Sequence, residues 1–182
     1  NKPKATIDSA INAATANNGD IILVAPGHAE SLANATSLVP DVAGVKIFGL
    51  GRGADRPTIT FTHANGNIPI SGASVEFHNF LFTVSGTTDC VAGITVSGAD
   101  VLLNNIELRE GSATAQFVDG IVGTTCDRME ITNFKGRFLV AGDATQAAIS
   151  ITGTPDEVKL INHWIVGEFV SAGIDITGVA TE

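Results

Sequence analysis

The chain has 182 residues, 44% of them hydrophobic and only 16% charged, with a formal charge of −9. That is material for one elongated core, and the negative charge argues against nucleic acid or an anionic membrane as the main partner. No apolar run is long enough to span a bilayer.

The first stretch reads as a helix. Thr6 or Asp8 can cap it, Ile7, Ala10, Ile11 and Ala14 form one apolar stripe, and Asn17-Asn18-Gly19 ends it. Residues 1–19 are therefore expected to be a capping helix over the open end of a β domain spanning 20–182, the whole forming a single domain. Asp20 leads into the apolar run Ile21-Ile22-Leu23-Val24, and Ala25-Pro26-Gly27 turns the chain.

From residue 45 the sequence repeats. Val75-Glu76-Phe77-His78-Asn79, Val101-Leu102-Leu103-Asn104-Asn105, Met129-Glu130-Ile131-Thr132-Asn133 and Val158-Lys159-Leu160-Ile161-Asn162 align, each with apolar first and third residues and a final Asn. Val45-Lys46-Ile47-Phe48-Gly49 fits with Gly in the Asn slot, and the steps between first residues are 30, 26, 28 and 29 residues. A repeat of that length is one supersecondary unit stacked on copies of itself. Asn and Gly tolerate a left-handed backbone, so Asn79, Asn105, Asn133 and Asn162 are expected at a tight bend, their amides stacked as a structural ladder.

Each repeat also holds a strand before the Asn segment, such as Ile94-Thr95-Val96 or Ile149-Ser150-Ile151, and another after it, such as Phe80-Leu81-Phe82 or Ile106-Glu107-Leu108. In most of the strands before the Asn segment apolar and polar residues alternate, as one buried face requires. Loops of differing sequence, over 62–67, 83–92, 109–119, 139–147 and 167–172, join one repeat to the next. The expected fold is all-β: a right-handed parallel β-helix of about 5–6 coils, each of three short strands. Cys90 and Cys126 fall at different places in the repeat, so free thiols are expected.

The stretch from Ala5 to Gly27, the Val-Lys-Ile-Phe-Gly-Leu-Gly run at 45–51 and the Asn column resemble pectate-lyase-like right-handed β-helix proteins. That resemblance covers nearly the whole chain and implies a fold. Its members include polysaccharide-cleaving enzymes, phage tailspikes and virion proteins, and surface adhesins, so it does not choose a function.

Three groups of side chains are candidates for chemistry. Asp100, Asp127 and Asp156 fall at nearly the same place in successive repeats; coils about 4.8 Å apart would let such carboxylates share Ca²⁺, or each can bond the backbone of its own turn. Glu107, Arg109 and Glu110, with Lys135 and Arg137 one coil on, supply two carboxylates and three cations to an enzyme on an acidic glycan, or a set of cross-coil salt bridges. Asp89 and Asp119 form a carboxylate pair or cap loops. His28, His63, His78 and His163 make no metal motif, and no nucleophile-elbow, P-loop, CxxC or HExxH pattern occurs.

No cofactor or catalytic residue is therefore expected. With no Tyr, one Trp and nine Phe mostly at inward positions, the chain lacks the aromatic faces that sugar sites present. Outward on the second strand stand Phe48, Leu102 and Ile161 among Lys46, Glu76, Glu130 and Lys159, a mixture suited to a subunit interface. The expectation is a non-catalytic structural or assembly protein, a homotrimer packed through that face. Its setting would be virion-associated or extracellular, with capsid or other virion proteins as further partners. The alternatives are a polysaccharide lyase or hydrolase domain and a surface adhesin. An ice-facing row of Ser71, Ser97, Thr152 and Thr177 is interrupted by Gly123 and too narrow.

Overall fold

A computed structural model describes residues 2–139 and 145–177. In chain order it contains α1 (Ile7–Ile11), β1 (Ile21–Val24), β2 (Ala29–Leu32), β3 (Lys46–Gly49), β4 (Thr58–Phe61), β5 (Ile68–Ile70), β6 (Glu76–Val84), β7 (Cys90–Val96) and β8 (Leu102–Arg109). Then follow β9 (Phe117–Gly123), β10 (Glu130–Thr132), β11 (Lys135–Phe138), β12 (Ala147–Ile151), β13 (Lys159–Ile161), β14 (Trp164–Gly167) and β15 (Ala172–Ile176). Every pairing between these strands is parallel, and the chain winds as a parallel β-solenoid of about six turns behind one short helix.

The strands form a ten-stranded and a five-stranded sheet. In the larger one, β1, β3, β6, β8, β10 and β13 stack in that order, so that Ile22, Ile47, Phe77, Leu103, Ile131 and Leu160 form one inward row. Both β6 and β8 run through the Asn bend, and their far halves join a second ladder with β2, β4, β11 and β14. The five-stranded sheet stacks Ile68, Ile94, Ile121, Ile149 and Ile174. Pro69 lies in its edge strand β5, where a missing N–H costs no ladder bond.

The rows enclose a continuous core in which Phe61, Phe77, Phe80, Phe82, Phe117, Phe134 and Phe138 are fully buried. Seven of the nine Phe are thus inside, and several meet edge to face, Phe61 and Phe117 with ring centres 5.6 Å apart. Such pairs add to the burial of 150–250 Å² that each ring brings, on the order of 1 kcal/mol apiece. Only Phe48 faces out, flat against His78 with ring centres 4.2 Å apart.

The Asn slot is a left-handed bend, with φ of 65° at Asn79, 53° at Asn105, 53° at Asn133 and 57° at Asn162. It reverses the alternation: Phe77 points in, His78 out, and after Asn79 Phe80 points in again. The amides form a ladder, Asn79 Nδ2 donating to the carbonyls of Gly49 (2.7 Å) and Gly51 (2.9 Å) and Asn105 Nδ2 to Asn79 Oδ1 (2.9 Å). The next rung steps sideways. Asn133 Nδ2 donates to Asn104 Oδ1 (3.0 Å), and Asn162 Nδ2 returns to Asn133 Oδ1 (2.6 Å).

Gly49 differs from the expectation. It is a strand residue rather than a left-handed one, and it is glycine because the space of a Cβ is taken by the carbonyl oxygen of Asn79. A second left-handed column, absent from the sequence reading, precedes each repeat: Gly44, Ser74, Asp100, Arg128 and Glu157, with φ between 51° and 76°.

At the N-terminus α1 is one turn long and ends at Ile11, so most of residues 12–19 are turn rather than helix. Thr6 is the cap, its side chain accepting from the Ser9 amide (3.1 Å), while Asp8 ties down the Val39 amide (3.0 Å). Ile7 and Ile11 are buried on the end of the solenoid, and Glu30 accepts from the Ile7 amide (3.2 Å). Two loops are shorter than expected, because β6 extends to Val84 and β7 and β9 begin early, at Cys90 and Phe117, a buried cross-strand pair.

Candidate functional site

The strongest polar constellation lies on the outer face of the β4–β6–β8–β11–β14 ladder. Thr58, Leu81, Glu107, Lys135 and Trp164 form one outward row, and Thr60, Thr83, Arg109, Arg137 and Val166 the next. Glu107 is only 5% exposed. It accepts from Arg56 Nη2 (2.7 Å) through one carboxylate oxygen and from Arg109 Nη2 (2.6 Å) and Nε (3.2 Å) through the other. Burial opposes ionisation of Glu107, but the hydrogen bonds from Arg109 and Arg56 and their charges outweigh it, holding the carboxyl below its ordinary pKa. Arg56, Thr58, Leu81, Glu107 and Arg109 line a depression of about 430 Å³ beside the Gly53–Asp55 turn.

The sequence reading named Glu107 and Arg109 but missed Arg56. It stands 51 residues upstream of Glu107, in a loop outside the repeat, and reaches past Leu81 to a strand two coils away. Nothing local marks it.

The remaining members of the charged group do not converge on this carboxylate. Glu110 is buried and accepts from the Thr145 hydroxyl (2.7 Å). Lys135 lies over the Trp164 ring, 5.3 Å from its centre, a cation–π contact. Arg137 pairs in register with Arg109. As chemistry this is an ion-paired Glu between two guanidiniums: ionised near neutrality, it is no proton donor, and both of its oxygens already accept from arginine.

The three aspartates do not share one column. Asp100 aligns with Arg128 and binds it through both oxygens (2.7 Å each), while Asp127 Oδ1 accepts from the Asp156 amide (3.0 Å) one residue earlier in the turn. The hydrogen bonds from Arg128 lower the Asp100 pKa. Among the described residues no group of three His, Cys, Asp or Glu is placed to hold a metal.

Asp89 accepts from the Gln116 amide (2.9 Å) and Asp119 from the backbone of Ala147, so each carboxylate caps the backbone of the coil above it. Burial raises the Asp119 pKa.

The second-strand face carries two outward rows. Ile21, Lys46, Glu76, Leu102, Glu130 and Lys159 form one; Leu23, Phe48, His78, Asn104, Thr132 and Ile161 form the other. Phe48 and Leu102, half-buried, therefore stand in different rows, and of the three apolar residues only Ile161 is strongly exposed, at 49%. The polar members bond one another. Glu76 accepts from Lys46 (2.6 Å) and pairs with His78 Nε2 (2.8 Å), Asn104 Nδ2 donates to His78 Nδ1 (3.2 Å), and Thr132 donates to Asn104 Oδ1 (3.0 Å). Partial burial opposes ionisation of Glu76, and its bonds to Lys46 and His78 overcome this and lower its pKa.

The other histidines are scattered. His28 pairs with Glu30 (3.0 Å), His63 Nδ1 accepts from Asn65 in an exposed turn, and His163 packs edge-on to Phe134 with its pKa lowered by burial. Both cysteines are free and buried; Cys90 donates to the Gly66 carbonyl (2.9 Å), and burial pushes its pKa up to about 12.

No family model matches the chain, and no curated protein or solved structure matches it.

Proposed function

We propose that the chain is a non-catalytic structural module that works by self-assembly, as a homotrimer, in a virion-associated (capsid decoration or fibre) or extracellular setting. In this reading the coils are right-handed, three strands to a turn, and of pectate-lyase-like type. The usual hand of parallel crossovers and the left-handed Asn bend support that assignment.

One observation carries the non-catalytic reading. The group best placed for acid–base work, Glu107, is locked between Arg56 and Arg109 and held ionised. Retained as a proton donor it would need the opposite environment, one that raises its pKa. The inward Phe residues and short connecting loops support a scaffold over a sugar cleft, and the virion setting is drawn from these features together with the β-helix likeness.

Sedimentation at micromolar concentration tests the assembly, and a lone monomer there refutes it. The depression beside Arg109 favours a second reading, a lyase or hydrolase on acidic glycans. Incubation with uronate polymers separates the two: release of unsaturated or reducing ends overturns the scaffold reading.

A further inference from the structure

The described surface divides its charge unevenly. On the strands of the β4–β6–β8–β11–β14 outer face stand three cations, Arg109, Lys135 and Arg137, against one carboxylate, Glu107; Arg56 reaches in from the loop before β4, and Asp55 and Glu168 lie in the flanking loops. Arg109 and Arg137 are register partners, and like charges directly opposite on neighbouring strands repel. Glu107 offsets Arg109 in part, and no described carboxylate pairs with Arg137. Trp164, 50% exposed, continues the same face.

The turn between the five-stranded sheet and the β8–β10–β13 ladder shows the reverse. Asp100, Asp127, Asp156 and Glu157 are four carboxylates against one cation, Arg128, which Asp100 already occupies. Both patches run along the solenoid axis and overlap on the coils that hold β8 and β10–β11. Within one chain they cannot meet. The acidic turn precedes the Asn segment in the three coils that carry it, whereas the basic ladder follows the Asn bend, so the β8–β10–β13 face separates them.

We propose that the basic ladder face docks on the acidic turn of a second copy of this chain, lying side by side with it. The inference rests on the self-assembly reading and replaces the second-strand face, whose polar groups bond one another, as the contact surface. The contact is heterologous, with each copy offering a different patch to each neighbour, so it builds a ring if its rotation closes and an open array otherwise. Complementary charge of this kind steers encounter and fixes register more than it adds affinity. Association therefore weakens with salt, and at about 0.5 M, where the screening length is only a few ångströms, it falls at least tenfold from its low-salt value.

The test is a charge exchange read by sedimentation velocity at low salt. One variant carries K135E and R137E; another carries D156K and E157K; circular dichroism checks that both are folded. Each variant alone is expected to sediment as a monomer under conditions where the wild type associates. An equimolar mixture recovers association, because the reversed face of one now matches the reversed turn of the other. Wild-type association that survives both reversals overturns the docking surface and leaves self-assembly standing. A wild type that stays monomeric at low salt overturns both. Reversed variants that fail alone and also fail when mixed overturn the pairing of these two patches.

Discussion

Replacing Glu107 with Ala tests the polar centre most directly. The carboxylate is 95% buried and receives three hydrogen bonds from two guanidiniums, and the Arg56 side chain is itself only 13% exposed, its Nε buried with no partner. Removing the carboxylate strands the Arg56 charge against Leu81 and the Gly53–Asp55 turn. Breaking one side of a buried pair costs about 3–5 kcal/mol, largely from the charge left behind. Arg109, 45% exposed, turns to solvent at little cost. Glu107→Gln keeps the shape and one acceptor oxygen, so it should lose less, roughly 1–3 kcal/mol.

The pH dependence adds a second arm. Because the folded-state pKa of Glu107 lies below its unfolded value of 4.5, the stability it contributes is fully present above 4.5 and is lost as pH falls through the lower, folded value. Urea denaturation of wild type and both variants from pH 7 down into the acid range should show a gap that is constant at first and then closes. A Glu107→Ala protein as stable as wild type at pH 7, or a gap that ignores pH, would refute the account of Glu107 as a buried, doubly paired carboxylate.

The ladder and the turns give further expectations. Asn105→Ala loses its bond to Asn79 and places Ala at φ 53°, so denaturation should register a loss of roughly 2 kcal/mol, whereas Asn105→Gly, free of the backbone cost, loses less; equal losses would remove the backbone argument. Glu157→Gly relieves a left-handed φ of 51° at an exposed residue and should stabilise by up to about 1 kcal/mol, and a drop in the denaturation midpoint would contradict that. The Cys90 thiol, buried and with its pKa pushed up to about 12, should resist a thiol reagent at pH 8 until the chain unfolds, and rapid labelling of the native protein would count against its burial.

The repeat was legible because its bend demands a residue type. Few side chains tolerate left-handed backbone, so Asn recurs where the chain turns, and the inward rows follow by alternation. The second left-handed column was not legible because Ser, Asp, Arg and Glu all occupy it, and no composition marks it. That gap misaligned the aspartates: reading by residue type put Asp127 and Asp156 beside Asp100, whereas the backbone puts Arg128 there. Arg56 escaped for another reason. Its partner is fixed by which coils stack, and a loop residue carries no sign of the strand it will reach.

The sideways rung at Asn104 has a consequence for how the molecule comes apart. Asn79 and Asn105 hang from the Gly49 and Gly51 carbonyls, while Asn133 and Asn162 hang from Asn104, so the column is two chains of amides sharing no bond. In a linear array each unit is steadied mainly by its neighbours. Both side-chain bonds that cross from β10 to β8, from Asn133 and Thr132, end on the single Asn104 Oδ1, so one oxygen carries the column across that boundary. Replacing Asn104 with Ala removes both bonds at once, and amide exchange should then quicken more in β10, β11, β13 and β14 than in β6.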